Sequence, residues 1–498
     1  MSKSCYKKIL SIISAFLILN QCTAYAQRPP GEISPAGSTA ASGTQIDRSL
    51  YTDGSQYENT PVSTDSVRVA LSCGDSADPE AELVNLSGGG FLIGSFDSSR
   101  SFEKLSRTDC CHIKAKISCS AGRWRILLGV GCTDKNDSSE TGKMPPADTL
   151  EIDGQTRLLI GSFDSMSEAD REIKDKGLEG EAFYDGSGSI LLYSADSGKL
   201  IYSTEPGNSS LAVVPDGDDP VTEYGKNHYR GSFEFRMHDA SHLNVINYVG
   251  IEDYVKGVIP YEMSCSWPPE ALKAQAVCAR TYAVYNQNRF SRYGCDLTAD
   301  TYSQVYRGTL EADSVSDAAV DDTAGELVRY KGQVCEVYYC SSNGGATEDG
   351  INVFDTPAPY LSGKTDPFED ALDYPLKFWE KTMSRETILD CLHEKNYEIS
   401  DIERIEAVYS DTGNVIAMKY YNKSGTCLEI RGRSCYTSLG LKSCRFTVEE
   451  KDGKYVFSGR GWGHSCGMSQ WGARAMASVY GYNYEDIIRF YFSGAYIA

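Results

Sequence analysis

The chain has 498 residues, with 69 acidic against 48 basic side chains and a formal charge of −21. That length is ample for buried cores and suggests about two to four domains. So acidic a chain lacks the basic patches that release counterions from a polyanion, which excludes nucleic acid as a partner and favours a neutral carbohydrate or peptide substrate.

Residues 1–26 open with Lys3, Lys7 and Lys8, continue through a mainly apolar run from Ile9 to Leu19, and end with Ala24 and Ala26 flanking Tyr25. This is the pattern of a secretory signal peptide cut after Ala26. The run is about half of the roughly 20 residues that span a bilayer, and no later stretch is long enough. The expectation is an exported protein, extracellular or cell-wall associated. Loss of the three lysines takes the formal charge from −21 to −24. Of the 17 cysteines, Cys5 and Cys22 leave with the leader, so an exported chain keeps 15, read as disulfides plus an unpaired thiol. No CxxC pair has zinc-site spacing and only six histidines occur, so neither metal nor cofactor is predicted.

Residues 27–66 are rich in Pro, Gly, Ser and Thr and read as a flexible linker. An internal echo follows: FLIGSFDS at Phe91–Ser98 recurs as LLIGSFDS at Leu158–Ser165. Each copy reads as a strand, a Gly-Ser turn and a short helix, which makes residues 67–215 a pair of duplicated small α+β modules. The second copy, GSFDSMSEADREI, weakly resembles the sporulation-related repeat (SPOR) domains, which would make the modules glycan- or wall-binding. A loop-like stretch near Asp219 then leads to a domain over residues 225–498. Its hydrophobic runs HLNVINYVGIEDYVKGVIP, VCEVYYC and NVIAMKYYN, divided by turn residues, predict a mainly β domain with inserted helices. The fold class is therefore α+β.

The segment Val255–Asn286 carries the most chemistry. Pro268 and Pro269 suit a first helical turn, Ser266 is a candidate cap, and Leu272, Ala276, Ala279 and Ala283 recur at helical spacing, so a buried-face helix begins at Pro269. Glu262 precedes it among Tyr261, Met263 and Trp267. A carboxyl in such an apolar setting suits general acid chemistry at neutral pH. A lone loop glutamate is more often a solvated surface group, and the residue needs further support. Near the C-terminus Gly459, Gly461, Gly463, Gly467 and Gly472 permit tight turns and close approach. Trp462 and Trp471 have faces for sugar stacking, although Trp471, Ala475 and Val479 recur every fourth residue and read as a helix core stripe. His464, among glycines beside Ser465 and Gln470, is a cleft candidate.

Three ordered blocks carry a family resemblance: Gly257, Val258, Glu262, Met263, Trp267 and Pro268 with EALKAQAV and ARTY; CSSNGGATED at Cys340–Asp349; and FSGRGWGHSCGMSQWGARAMA at Phe457–Ala477. Together they resemble the stage II sporulation protein D and LytB (amidase enhancer) family over Tyr229–Ala498. The resemblance implies lytic cleavage of the MurNAc-GlcNAc bond in peptidoglycan strands stripped of stem peptides, with Glu262 as acid and base and an anhydro-muramyl end as product. It implies glycan contact from Tyr261, Met263, Trp267, Arg280, Ser341, Ser342, Gly344, Thr347, Trp462, His464, Ser469 and Gln470. The alternative it offers is a non-catalytic glycan-binding enhancer of a cell-wall amidase. Ser465 and Cys466 replace the usual Gly-Val after the histidine, and Ser264 replaces a common proline. Some relatives carry a zinc cluster after the ARTY helix, where this chain keeps Cys295 without a neighbouring histidine or second cysteine. A further reading makes Cys466 beside His464, or Cys265 near Glu262, a nucleophile.

Overall fold

The computed structural model describes residues 63–119, 123–128, 148–152, 155–185, 188–205, 208–375 and 377–498. The expected signal peptide and the expected linker up to residue 62 lie outside the described residues. Helices and strands alternate irregularly through several sheets, an α+β fold that is mainly β. Among the described residues no helix is long and apolar enough to cross a membrane. Two compact units emerge. One holds the described residues before Ile259 together with Asn286–Ala312, and the other holds Ile259–Tyr285 with Asp313–Ala498.

The first unit is built on a seven-stranded sheet. Its order is Leu297–Thr298, Ser66–Ser72, Leu243–Gly250, Ser232–Met237, Ser210–Pro215, Phe91–Phe96 and Phe102–Thr108. Alternation along these strands puts Val67, Val69, Phe91, Ile93, Phe233, Phe235 and Val245 in the interior. The buried Asp296 carboxylate accepts from Arg68 at 2.8 Å and Arg100 at 3.0 Å. Breaking such a pair by removing one partner leaves a costly buried charge.

The two echoing octapeptides adopt different continuations. The second runs as the strand Gln155–Phe163 into the helix Met166–Lys176. Ser165 caps that helix by accepting from the Glu168 amide, Glu168 reaches back to the Asp164 amide, and Gly177 closes it at φ +60°. The first copy runs as Phe91–Phe96 into a hairpin, not a helix. There Asp97 Oδ1 accepts from the Ser101 amide, Arg100 turns at φ +69°, and Phe102–Thr108 pairs back antiparallel. With its turn closed by Asp97 and no capping glutamate three residues on, this segment gains more from the sheet than from a helix.

The second unit contains the long helix Pro269–Tyr285, the helices Ser314–Asp321, Gln470–Ser478 and Tyr484–Tyr491, and several small sheets. Leu272, Ala276, Ala279 and Ala283 are all buried, but so are Ala271, Ala274, Val277 and Val284, so the long helix is an interior element rather than a surface one with a single apolar stripe. Its start follows Pro268, whose carbonyl accepts from the Ala271 amide, while Ser266 bonds Ser264 rather than capping. Two sheet expectations change. In the first run, the strand ends at Gly250 and Ile251–Lys256 is helical. VCEVYYC contributes only Val334, the end of the strand Gln333–Val334, and the two-residue strand Tyr339–Cys340. NVIAMKYYN forms the strand Val415–Tyr421, whose Val415, Met418 and Tyr420 join Ile388, Leu392, Leu439 and Phe457 in one apolar core.

Thirteen of the cysteines among the described residues carry free thiols, seven of them buried. This corrects the disulfide expectation for those positions. Cys278, Cys435, Cys444 and Cys466 pack as small apolar residues.

Candidate functional site

Glu262 ends the short helix Ile259–Glu262, and the chain then turns through Ser264, whose carbonyl accepts from the Trp267 amide, before entering the long helix. Ser264 and Ser266 join hydroxyls at 2.9 Å across that turn. Met263 is buried beneath it, while Tyr261, Glu262 and Trp267 remain half-buried.

The other two blocks run beside one another. Tyr339–Cys340 pairs with Met468–Ser469 in parallel, and Ser342 and Trp462 exchange backbone hydrogen bonds of 3.0 Å in both directions. This closeness explains a glycine: Gly461 sits at φ +78°, and a Cβ there would lie 2.6 Å from the Gly344 nitrogen. Ser469 caps the helix Gln470–Ser478 by accepting from the Gly472 amide, and the Trp471 amide donates to the Ser341 carbonyl. A side chain on Gly472 would fall on the Tyr491 hydroxyl.

That helix delivers Gln470 to Glu262, with Nε2 donating to Oε2 at 3.2 Å. One residue on, Trp471 lies 4.8 Å from the Trp267 ring centroid and stacks on Tyr374 at 4.5 Å and 14°. Arg474 lies over both indoles. Glu262, Gln470 and a row of aromatic faces are thus brought together. Trp471 is half-buried and Val479 is 53% exposed, so the expected core stripe through Trp471, Ala475 and Val479 fails and only Ala475 is interior.

Under this surface lies a carboxylate the sequence reading did not find. Glu369 is buried and accepts from the Ser342 hydroxyl at 2.7 Å, the Tyr374 hydroxyl at 2.8 Å, the Asn343 amide at 2.8 Å, the Gly344 amide at 3.1 Å and the Ser469 hydroxyl. Beside it Asp366 accepts from Asn343 Nδ2 and the Tyr491 hydroxyl, and burial pushes its carboxyl up. Glu348 is held by Ser410, Thr412 and Asn352. Nothing in SGKTDPFEDALDY distinguishes Glu369 from a solvated acid. Only the three-dimensional convergence of donors does.

The polar atoms of several candidates are spent inside this framework. Ser342, Gly344 and Ser469 serve Glu369, and the buried Thr347 hydroxyl accepts from the Lys364 amide at 3.0 Å. Ser341 gives its carbonyl to Trp471. Arg280 is interior, with its guanidinium donating to the carbonyls of Val320 and Glu326 at 3.3 Å. Trp462 is half-buried under the Lys442 ammonium, 4.4 Å from its ring centroid.

His464 is a satisfied ring. Nδ1 accepts from the Cys466 amide at 3.1 Å, the Tyr339 backbone bonds the ring, and its edge meets Phe354 at 4.9 Å. Burial, then the Arg433 charge, brings its pKa down to about 3. The Ser-Cys departure after it is accommodated with Ser465 at φ +60°, where its carbonyl accepts from Glu348 and its hydroxyl reaches the Asn343 carbonyl. The environment disfavours the cysteine-nucleophile reading: Cys466 is interior and burial pushes its thiol well up, and burial also raises that of the half-buried Cys265. Zinc does not fit the residues present. Cys295 is interior against the Phe290 carbonyl, its neighbour Asp296 is taken by two arginines, and no group of three ligands converges among the described residues.

Residues 239–330 match the SpoIID family, described as stage II sporulation protein. An uncharacterized protein of Brachyspira hyodysenteriae is 35% identical over 297 residues, 58% of this chain and 77% of the relative. The amidase enhancer of Bacillus subtilis is 29% identical over 439 residues, covering 74% of this chain and 59% of the relative. The stage II sporulation protein D of Bacillus amyloliquefaciens is 26% identical over 334 residues, covering 62% and 90%. The chain belongs to the stage II sporulation protein D and amidase enhancer family.

Proposed function

We propose that the protein acts outside the cytoplasm on the cell wall, as a lytic transglycosylase of peptidoglycan strands stripped of stem peptides. The observation that carries this reading is the Glu262–Gln470 contact beside the Trp267, Trp471 and Tyr374 faces. Apolar faces of sugar rings stack on such aromatics, and a carboxyl at their margin is placed for proton transfer to a glycosidic oxygen.

One carboxyl suffices for this reaction. Ordinary glycosidases use two because water or an enzyme carboxylate attacks the anomeric carbon. Here the 6-hydroxyl of the same MurNAc attacks its own C1. The bond from C1 to the GlcNAc O4 breaks as the bond from C1 to O6 forms. Glu262 gives its proton to the departing O4 and takes the proton released by O6, so the enzyme returns to its starting state and no water is consumed. Gln470 holds the carboxyl in orientation through both transfers.

A second reading, a non-catalytic enhancer of a cell-wall amidase, draws on the relative named amidase enhancer, which aligns with 74% of this chain. Under either reading the elements before residue 215 serve retention on the wall. Incubation of the full chain with denuded glycan strands, followed by mass spectrometry, separates the two. Transglycosylase action gives 1,6-anhydro-muramyl ends, and Glu262→Gln lowers their rate about 100- to 10,000-fold. Glycan bound without such ends excludes the enzyme reading and leaves the enhancer.

A further inference from the structure

Cations around the site are mostly paired: Arg460 meets Asp370, Lys273 meets Asp322, and Arg489 meets Glu485 and Asp486. Arg474 is different. Among the described residues its guanidinium has no carboxylate or hydrogen-bond partner. It lies instead against two indole faces, 4.9 Å from the Trp267 ring centroid and 4.8 Å from that of Trp471. A guanidinium held by ring faces spends none of its N–H donors on a carboxylate or carbonyl of the protein, which leaves them for another acceptor.

Position adds to this. Arg474 is one helical turn beyond Gln470 in the helix Gln470–Ser478, so the two side chains share a face, and Gln470 reaches Glu262. The side chain is half-buried rather than enclosed, which leaves it open to a ligand. Burial weakens its hold on the proton, so an anion that joins it relieves a cost already present.

We infer that Arg474 is a specificity-determining residue that binds a carboxylate of the substrate. Resting on the function proposed above, that group is the free lactyl carboxylate of a muramic acid without its stem peptide. In an intact strand the lactyl carboxyl is consumed in the amide to the stem, so the anion is absent and a peptide occupies its place. Removal of the stem restores a planar carboxylate that matches the guanidinium fork. A chain of net charge −21 otherwise repels a glycan that carries one carboxylate per disaccharide, and a local cation answers that repulsion.

The test uses the full chain with Glu262→Gln, so that glycan is not consumed, and two probes of equal length. One is a tetrasaccharide of alternating GlcNAc and MurNAc with free lactyl carboxylates; the other is chitotetraose, which lacks them. Calorimetry should show the first bound at least about tenfold more tightly, the size expected for a charged hydrogen bond. Addition of Arg474→Gln should erase that preference while chitotetraose affinity stays within about threefold, and Arg474→Lys should restore part of it. A preference that survives Arg474→Gln, or none in the Glu262→Gln parent, overturns the assignment while glycan binding stands. Binding of neither probe overturns it together with the function it rests on.

Discussion

Gln470 Nε2 donates to Glu262 Oε2 at 3.2 Å, joining residues 208 positions apart in the chain. Once Glu262 has given its proton the bond is one to a charged acceptor, which contributes about 1.5–3 kcal/mol. Gln470→Leu keeps the side-chain bulk and removes the donor. Anhydro-end formation should fall about 10- to 100-fold while the thermal midpoint changes little, measured on the same preparation. An unchanged rate would show that the amide does not orient the acid.

Glu369 predicts a stability effect. Glu369→Ala strands the donors of Ser342, Asn343, Gly344, Ser469 and Tyr374 in the interior. Each buried donor left unsatisfied costs about 1–3 kcal/mol, so the loss of this shared acceptor should cost at least about 3 kcal/mol. Glu369→Gln should cost less, because one carbonyl oxygen still accepts. Urea unfolding of the two variants beside the parent measures both values, and an alanine variant as stable as the parent would contradict the hub.

His464 makes a pH prediction. Its folded pKa is lowered to about 3 from the 6.5 of a free imidazole. The unfolded chain therefore takes up a proton below pH 6.5 that the folded chain refuses until about pH 3. The stability associated with this ring is fully present above pH 6.5 and declines as pH falls toward 3. The stability gap between the parent and His464→Gln should accordingly narrow over that window in thermal melts. A constant gap would mean that the ring titrates normally in the fold.

Thiol chemistry checks the cysteine assignment. Of the thirteen cysteines with free thiols among the described residues, Cys427 is the exposed one. A maleimide should label Cys427 quickly in the native protein and the interior thiols only after unfolding, with no reductant needed. Interior positions that stay unlabelled in denaturant without reductant would indicate disulfides.

The legible parts of the molecule were those where local chemistry decides the outcome. Prolines 268 and 269 and the spaced alanines announced the long helix, and the hydrophobic run NVIAMKYYN announced Val415–Tyr421. The glycine blocks were visible as well, since positive φ and close approach at Gly461 demand that residue. What stayed hidden depends on distant partners. The two octapeptides share a sequence yet diverge because Asp97 closes a hairpin where Ser165 and Glu168 cap a helix. Trp471 looked like core because spacing cannot tell an interior side chain such as Ala475 from a half-buried one that meets Trp267 and Tyr374. Glu369 and Arg474 carry no local sequence signal that sets them apart from surface charges. A buried acid with five donors, and a cation held only by indoles, are defined by what converges on them and not by their neighbours in sequence.

The central claim is that Glu262 drives attack by the sugar's own hydroxyl rather than by water. Digestion of denuded glycan by the full chain in ¹⁸O-enriched water, read by mass spectrometry, tests it directly. The account predicts muramyl products at the anhydro mass with no ¹⁸O incorporated, and their loss in Glu262→Gln. Reducing ends that carry ¹⁸O, or unlabelled anhydro products that persist undiminished in Glu262→Gln, would contradict it.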